Sequence, residues 1–272
     1  MIYGTIGYSI LNNSSIFPNN EIILLADSHD EKYKKCDPDN IYNTDIQIND
    51  FLESLLNKNH ILMIEEIPNT KDLVPLFPES THVKNIRNFY IKNQHNKNLI
   101  PIDIRFEFID NYEEGYYDDQ ILSNYIYKIY KFFVFEHDFF FGLNLYSKNI
   151  DMSILKDYYI KLLTDFNLFV KKNKLYMYDK IKNIPNKDIL IDNINDILSD
   201  IMELYVIMKL FEIFITNEKP NKKIIIYTGL YHTDNIKQTL LKYYKFTEIK
   251  KDGITEMKDK HKYMRDCINI MI

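Results

Sequence analysis

Four short runs of branched apolar residues constrain this chain more than any other feature. Ile22-Ile23-Leu24-Leu25 leads into Ala26, Asp27, Ser28 and His29. Ile61-Leu62-Met63-Ile64 leads into Glu65 and Glu66. Leu99-Ile100-Pro101-Ile102 leads into Asp103, Ile104 and Arg105. Ile224-Ile225-Ile226-Tyr227-Thr228 leads into Gly229, Leu230, Tyr231 and His232. A run that is apolar at every position, rather than at alternate ones, marks a strand buried on both faces. Such strands belong to parallel sheets covered by helices.

The intervening segments fit that reading. Ile48, Phe51, Leu52, Leu55 and Leu56 fall at helical spacing, and a second helix is expected over roughly His82 to Lys92. A third carries Ile236, Leu240, Leu241 and Tyr244, with Thr233 and Asp234 placed to cap it. A last strand around Lys245 to Lys250 and a polar tail complete the chain. The expected fold is a single α/β domain over 1–272, with a mostly parallel sheet flanked by helices.

Between the third and fourth strands lies a large all-helical insertion, expected over 118–217. It shows helical periodicity and no convincing strand. Leu190, Ile194, Ile197, Ile201, Leu204, Met208, Phe211 and Ile215 form a heptad-like stripe. The stripe suits a homodimer seam or a long core helix. The second half of the helix is apolar on its other faces too (Tyr205, Val206, Ile207, Leu210, Phe214), which favours the core helix.

Composition narrows the function classes. With 272 residues, 22 Tyr and 17 Phe, the chain has ample apolar surface to offset the entropy of ordering. A net charge of −5 argues against a general nucleic-acid-binding face. No apolar run approaches the length of a membrane span, the nearest stretch (Phe132 to Leu143) being broken by Glu136, His137 and Asp138. Cys36 and Cys267 make no disulfide framework and point to a reducing compartment, so a cytoplasmic location is expected. Ala26 is the sole alanine, lysine far outnumbers arginine, and Asn, Ile and Tyr abound. That bias fits an AT-rich genome such as that of a giant DNA virus or a protozoan parasite, which would place the protein in host cytoplasm or a virion. No Gly-rich phosphate loop of either common type is present.

The chemistry is expected at the carboxyl ends of the strands, where open α/β sheets bind ligands. Asp27 and His29 follow the first strand, Glu65 and Glu66 the second, Asp103 and Arg105 the third, His232 and Asp234 the fourth. Parallel neighbours would bring two imidazoles, several carboxylates and a guanidinium to one rim. Such a set suits general acid–base work or a His/carboxylate metal site, with Asp27 and Asp234 as lesser candidate ligands. Arg105 would hold an anionic group or a developing oxyanion. Glu136, His137 and Asp138 would join only if the insertion folds over the rim.

The order of these motifs resembles the TraB/Tiki/ChaN/erythromycin-esterase-like superfamily. Gly229-Leu230-Tyr231-His232 is similar to its Gly-x-x-His motif, and Ala26-Asp27-Ser28-His29 resembles the other copy with Ala in place of Gly. Glu65 matches the family glutamate, with Glu66 as the register alternative. Asp103-Ile104-Arg105 is similar to the family's aspartate–arginine strand end, with one residue inserted. The resemblance covers roughly 20–105 and 222–250. It implies a hydrolase-like site in which His29, Glu65 and His232 activate water against an ester, lactone or peptide bond, directly or through a divalent cation (Mn²⁺, Co²⁺ or Zn²⁺), with Arg105 at the oxyanion. Haem, bound by some relatives, is disfavoured, and the substrate is open. The departures from the motif allow an alternative, a catalytically inactive member that binds a partner.

Overall fold

The computed structural model describes residues 2–16, 21–27, 46–58, 60–65, 81–108, 121–146, 152–216, 223–262 and 267–270. Two compact units emerge. The first comprises 1–67, 79–102 and 217–272, and the second 68–78 and 103–216.

The first unit is built on a six-stranded sheet. Its strands are β2 (Gly7–Asn12), β3 (Ile22–Asp27), β5 (Ile61–Ile64), β6 (Leu99–Pro101), β7 (Ile224–Gly229) and β8 (Thr247–Gly253). The spatial order is β6-β5-β7-β3-β2-β8. The four strands from β6 to β3 are parallel, and all residues of β3, β5 and β7 are buried. This is the arrangement expected of continuous apolar runs: water reaches neither face, so neither face can be polar. A smaller sheet, β4-β1-β9, is formed by Ile46–Gln47, Ile2–Tyr3 and Cys267–Ile268.

Helix α1 (Ile48–Asn57) buries the residues of the expected stripe: Ile48, Phe51, Leu52, Leu55 and Leu56. Helix α2 spans Thr81–Asn93, and α6 spans Leu230–Tyr244 and packs on β3 and β7. The α/β class and the mostly parallel sheet agree with the sequence reading.

One local expectation needs correction, and two elements add to the sequence reading. The segment Gly7–Asn12 is a strand that pairs antiparallel with both β3 and β8. Helix α6 begins at Leu230 with Gly229 as its N-cap, so Thr233 and Asp234 lie inside the helix and do not cap it. The polar tail after β8 forms a 3-10 helix, Met257–Lys262, and strand β9.

Two glycines allow the close approach of β2 and β8. Gly7 lies opposite Gly253, whose φ is +69°, in the left-handed region. A Cβ on Gly7 would come 2.2 Å from the Ile254 carbonyl oxygen. The Ile6 N–H donates to the Ala26 carbonyl and the Ile254 N–H to the Ile6 carbonyl, so backbone meets backbone here. Ala26 packs with Ile6, Leu230 and Ile254 in a small apolar cluster. A larger side chain at 26 would compete with these neighbours for space.

The second unit is helical. It contains α3 (Leu122–Tyr146), α4 (Ser153–Lys172) and α5 (Lys187–Thr216), with 3-10 turns at Ile104–Phe108, Leu175–Met177 and Ile181–Asn183. Edge-to-face ring contacts run from Phe108 to Phe132, Phe132 to Phe133 and Phe133 to Tyr159. The eight consecutive residues from Ile201 to Met208 are all buried. A helix wrapped on every face is a core helix, and its apolar excess needs no second chain to explain it. Toward its N-terminal end Leu198, rather than Ile197, takes the buried position.

Candidate functional site

Register sets the geometry of the rim in the first unit. Strand β7 lies between β5 and β3, with Ile64 opposite Tyr227 and Asp27 opposite Gly229. The Glu65 N–H extends the β5 ladder by donating to the Tyr227 carbonyl at 2.9 Å. The residues after β5 and at the end of β3 therefore flank the point where β7 turns into α6.

At that point Glu65 is the central group. Its Oε2 accepts the Gly229 N–H at 2.5 Å, and its Oε1 lies 3.3 Å from His232 Nε2. Gly229 is the N-cap of α6, so its N–H is among the first amides of that helix end, where the helix dipole also favours an anion. His232 sits in the first turn of α6 and reaches back to the carboxylate one strand away. Glu65 is 3% exposed, His232 6% and Asp27 1%. In so little water a carboxylate keeps its charge only through donors such as these.

The neighbours of His232 hold its turn in place. Thr233 Oγ1 and Thr228 Oγ1 are 2.7 Å apart, and Thr233 Oγ1 also lies 3.2 Å from the Thr228 carbonyl oxygen. The Tyr231 ring packs edge-on against the imidazole at 5.4 Å between centroids. The Thr5 hydroxyl donates to the Ala26 carbonyl at 2.7 Å, bracing the end of β3.

The structure thus brings together Glu65 and His232 of the candidate residues, and the strand register places Asp27 opposite Gly229. Asp234 points its carboxylate elsewhere: Oδ2 accepts the Met257 N–H and Oδ1 accepts from Gln238 Nε2. Asp103 and Arg105 belong to the second unit, where they pair with each other. Arg105 Nε donates to Asp103 Oδ1 at 2.7 Å, and its NH2 group to Oδ2 at 2.6 Å, a two-point fork. His29 and Glu66 lie outside the described residues, as do the side chains of Glu136, His137 and Asp138.

Among the described residues no group of three or more His, Cys, Asp or Glu side chains is arranged to hold a metal ion. Glu65 and His232 supply two donors, and these are turned toward each other.

Sequence reasoning missed Lys237. It lies on the buried face of α6 and is 0% exposed. Its Nζ is 2.9 Å from Glu256 Oε1, 3.0 Å from Thr255 Oγ1 and 3.4 Å from Glu248 Oε1. The signal was available: Leu230, Thr233, Lys237, Leu240 and Tyr244 follow one another by three and four along the helix, so a lysine stands on the apolar stripe.

No protein-family model matches the chain, and neither the curated proteins nor the solved structures include a match to it. Among the described residues no helix is long and apolar enough to cross a membrane.

Proposed function

We propose that the protein is a hydrolase in which His232 is the general base and Glu65 is the carboxylate that orients it. The observation carrying this reading is the double engagement of Glu65, which binds the Gly229 N–H with one oxygen and faces His232 Nε2 with the other. A carboxylate fixed by a backbone amide cannot swing away. It sets the imidazole tautomer by holding the proton on Nε2, which leaves Nδ1 as the nitrogen that accepts a proton.

The reaction class comes from the resemblance to the TraB/Tiki-like superfamily, which implies water attack on an ester, lactone or peptide bond. A water placed against Nδ1 loses its proton to the imidazole as its oxygen bonds to the carbonyl carbon of an ester, lactone or peptide. Glu65 stabilises the imidazolium. The imidazolium then returns the proton to the leaving oxygen or nitrogen as the tetrahedral intermediate collapses. The resemblance of Gly229-Leu230-Tyr231-His232 and Glu65 to the TraB/Tiki-like motifs supports the same two residues.

The burial of the pair favours a second reading: a catalytically silent member of the fold in which Glu65 and His232 tie β5 to α6. The two are separated by a panel of ester, lactone and peptide substrates, run with and without chelator, on wild type, Glu65→Gln and His232→Ala. The hydrolase reading expects turnover in the wild type and a loss of about 100-fold or more in both variants. Turnover equal in all three, or none on any substrate while the variants lose only stability, overturns it in favour of the structural tie. A wild-type rate abolished by chelator would bring a metal, and with it His29, into the site.

A further inference from the structure

We propose that Lys237 is a positioning residue for His232, holding the first two turns of α6 against the strap formed by Thr255, Glu256 and Met257. This rests on the reading of His232 as the base.

The helix that carries His232 is tied to the strap twice, on neighbouring turns. Asp234 Oδ2 accepts the Met257 N–H at 2.9 Å. One turn further on, Lys237 Nζ binds Glu256 Oε1 and Thr255 Oγ1. The strap is itself anchored. It follows β8 directly, and its first backbone contact, Ile254 N–H to the Ile6 carbonyl, continues to Ala26 through the Ile6 N–H. Ala26 immediately precedes Asp27 at the rim. A circuit of contacts therefore runs from the end of β3 through residue 6 and the strap to α6, the helix that carries His232.

The circuit has chemical force because Lys237 is wholly buried. A lysine without water must find its donors' partners in the protein, and an ammonium with three such oxygens cannot slide along the helix axis without losing at least one. Glu248, the third partner, is held at the same oxygen by the Ser9 hydroxyl, which donates to Glu248 Oε1 at 2.6 Å. The geometry thus converts a surface strap into a stop for the catalytic helix. The contact between His232 Nε2 and Glu65 Oε1 is 3.3 Å, long enough that a small shift of α6 would open it.

Lys237→Met, Lys237→Arg and Thr255→Val test this in the full-length protein by imidazole ¹H–¹⁵N spectroscopy, which reads the tautomer and exchange protection of His232 without any substrate. Ile22→Val, at the far end of β3, controls for a general loss of stability. The expected result is a protected Nε2–H resonance in wild type and Ile22→Val, lost or displaced in Lys237→Met, partly displaced in Thr255→Val and restored in Lys237→Arg. Should Lys237→Met fail to fold, Thr255→Val, which deletes a single bond, decides by the same signal. His232 resonances unchanged in a folded Lys237→Met or in Thr255→Val would overturn the proposal and leave Lys237 a plain structural tie. Where a substrate is found, kcat falls by about 10-fold or more in Lys237→Met at unchanged KM. The two proposals fail separately: a protected resonance that moves with Lys237 in a protein without turnover sinks the hydrolase reading and keeps the positioning one.

Discussion

Two carboxylates, Glu256 in the sheet unit and Asp200 in the helical unit, are pulled in opposite directions. Hydrogen bonds from Lys258 and then Lys237 lower the Glu256 carboxyl to about 2. Burial, followed by the charge of Glu203, raises the Asp200 carboxyl to about 6, with Asp196 and Asp165 adding repulsion and only Lys161 opposing it. The sheet unit surrounds its acid with cations, whereas α5 crowds its acids together at Asp196, Asp200 and Glu203, spaced four and three apart on one helical face. Burial is common to both units. What differs is whether the partners were supplied, and that decides whether a buried charge locks a fold or loosens it with pH.

Lys237→Met should break the comparison most severely. It removes the central cation and leaves Glu248 and Glu256 without it, at a cost of about 3 kcal/mol or more in urea unfolding at pH 7. A loss below about 1 kcal/mol would mean that solvent replaces the ammonium freely.

Glu256→Gln isolates the pH term of the sheet unit. A depressed carboxyl stabilises the fold above its unfolded value near 4.5 and loses that contribution as pH falls toward about 2. The expected difference from wild type is about 1 to 2 kcal/mol at pH 6, after screening by solvent, vanishing near pH 2. Parallel stability curves over that range would contradict the assignment.

Asp200→Asn gives the smallest effect, with the opposite sign. A raised carboxyl favours the fold below its unfolded value of 3.8, and that contribution is lost as pH rises through about 6. The amide should raise stability at pH 7.5 by at most about 1 kcal/mol and change nothing near pH 4. Thermal melts at the two pH values check it, and a variant less stable at pH 7.5 would show that the ionised carboxylate has a partner worth keeping.

Much of the sheet was legible because continuous apolar runs are local signals. β3, β5 and β7 and helices α1 and α2 lie where periodicity placed them. β2 was not legible, since Gly7-Tyr8-Ser9-Ile10-Leu11-Asn12 shows neither alternation nor a continuous run. What makes it a strand is pairing with β8, more than two hundred residues away in the chain. The Glu65 and His232 contact was readable in outline, because parallel order brings strand ends together. The role of Gly229 was not: an N-cap amide given to a side chain from another strand is a product of register. Lys237 was overlooked because a lysine in a lysine-rich chain reads as a solvated residue unless its place on the stripe is counted.

The sheet's two edges bear on how the protein behaves when concentrated. Its interior strands are rich in isoleucine, and such segments stack into fibrils when their edges meet. Here β6, at one edge, is three residues long and ends in Pro101, which has no N–H to offer a newcomer. At the other edge β8 is largely exposed, carries Lys250 and Lys251, and meets β2 through a register shift between Ile10 and Leu11. A second molecule approaching either edge finds a blunt end or like charge in place of a template. The arrangement marks Lys250 and Lys251 as positions where apolar replacements would be tolerated by the fold and penalised in the test tube.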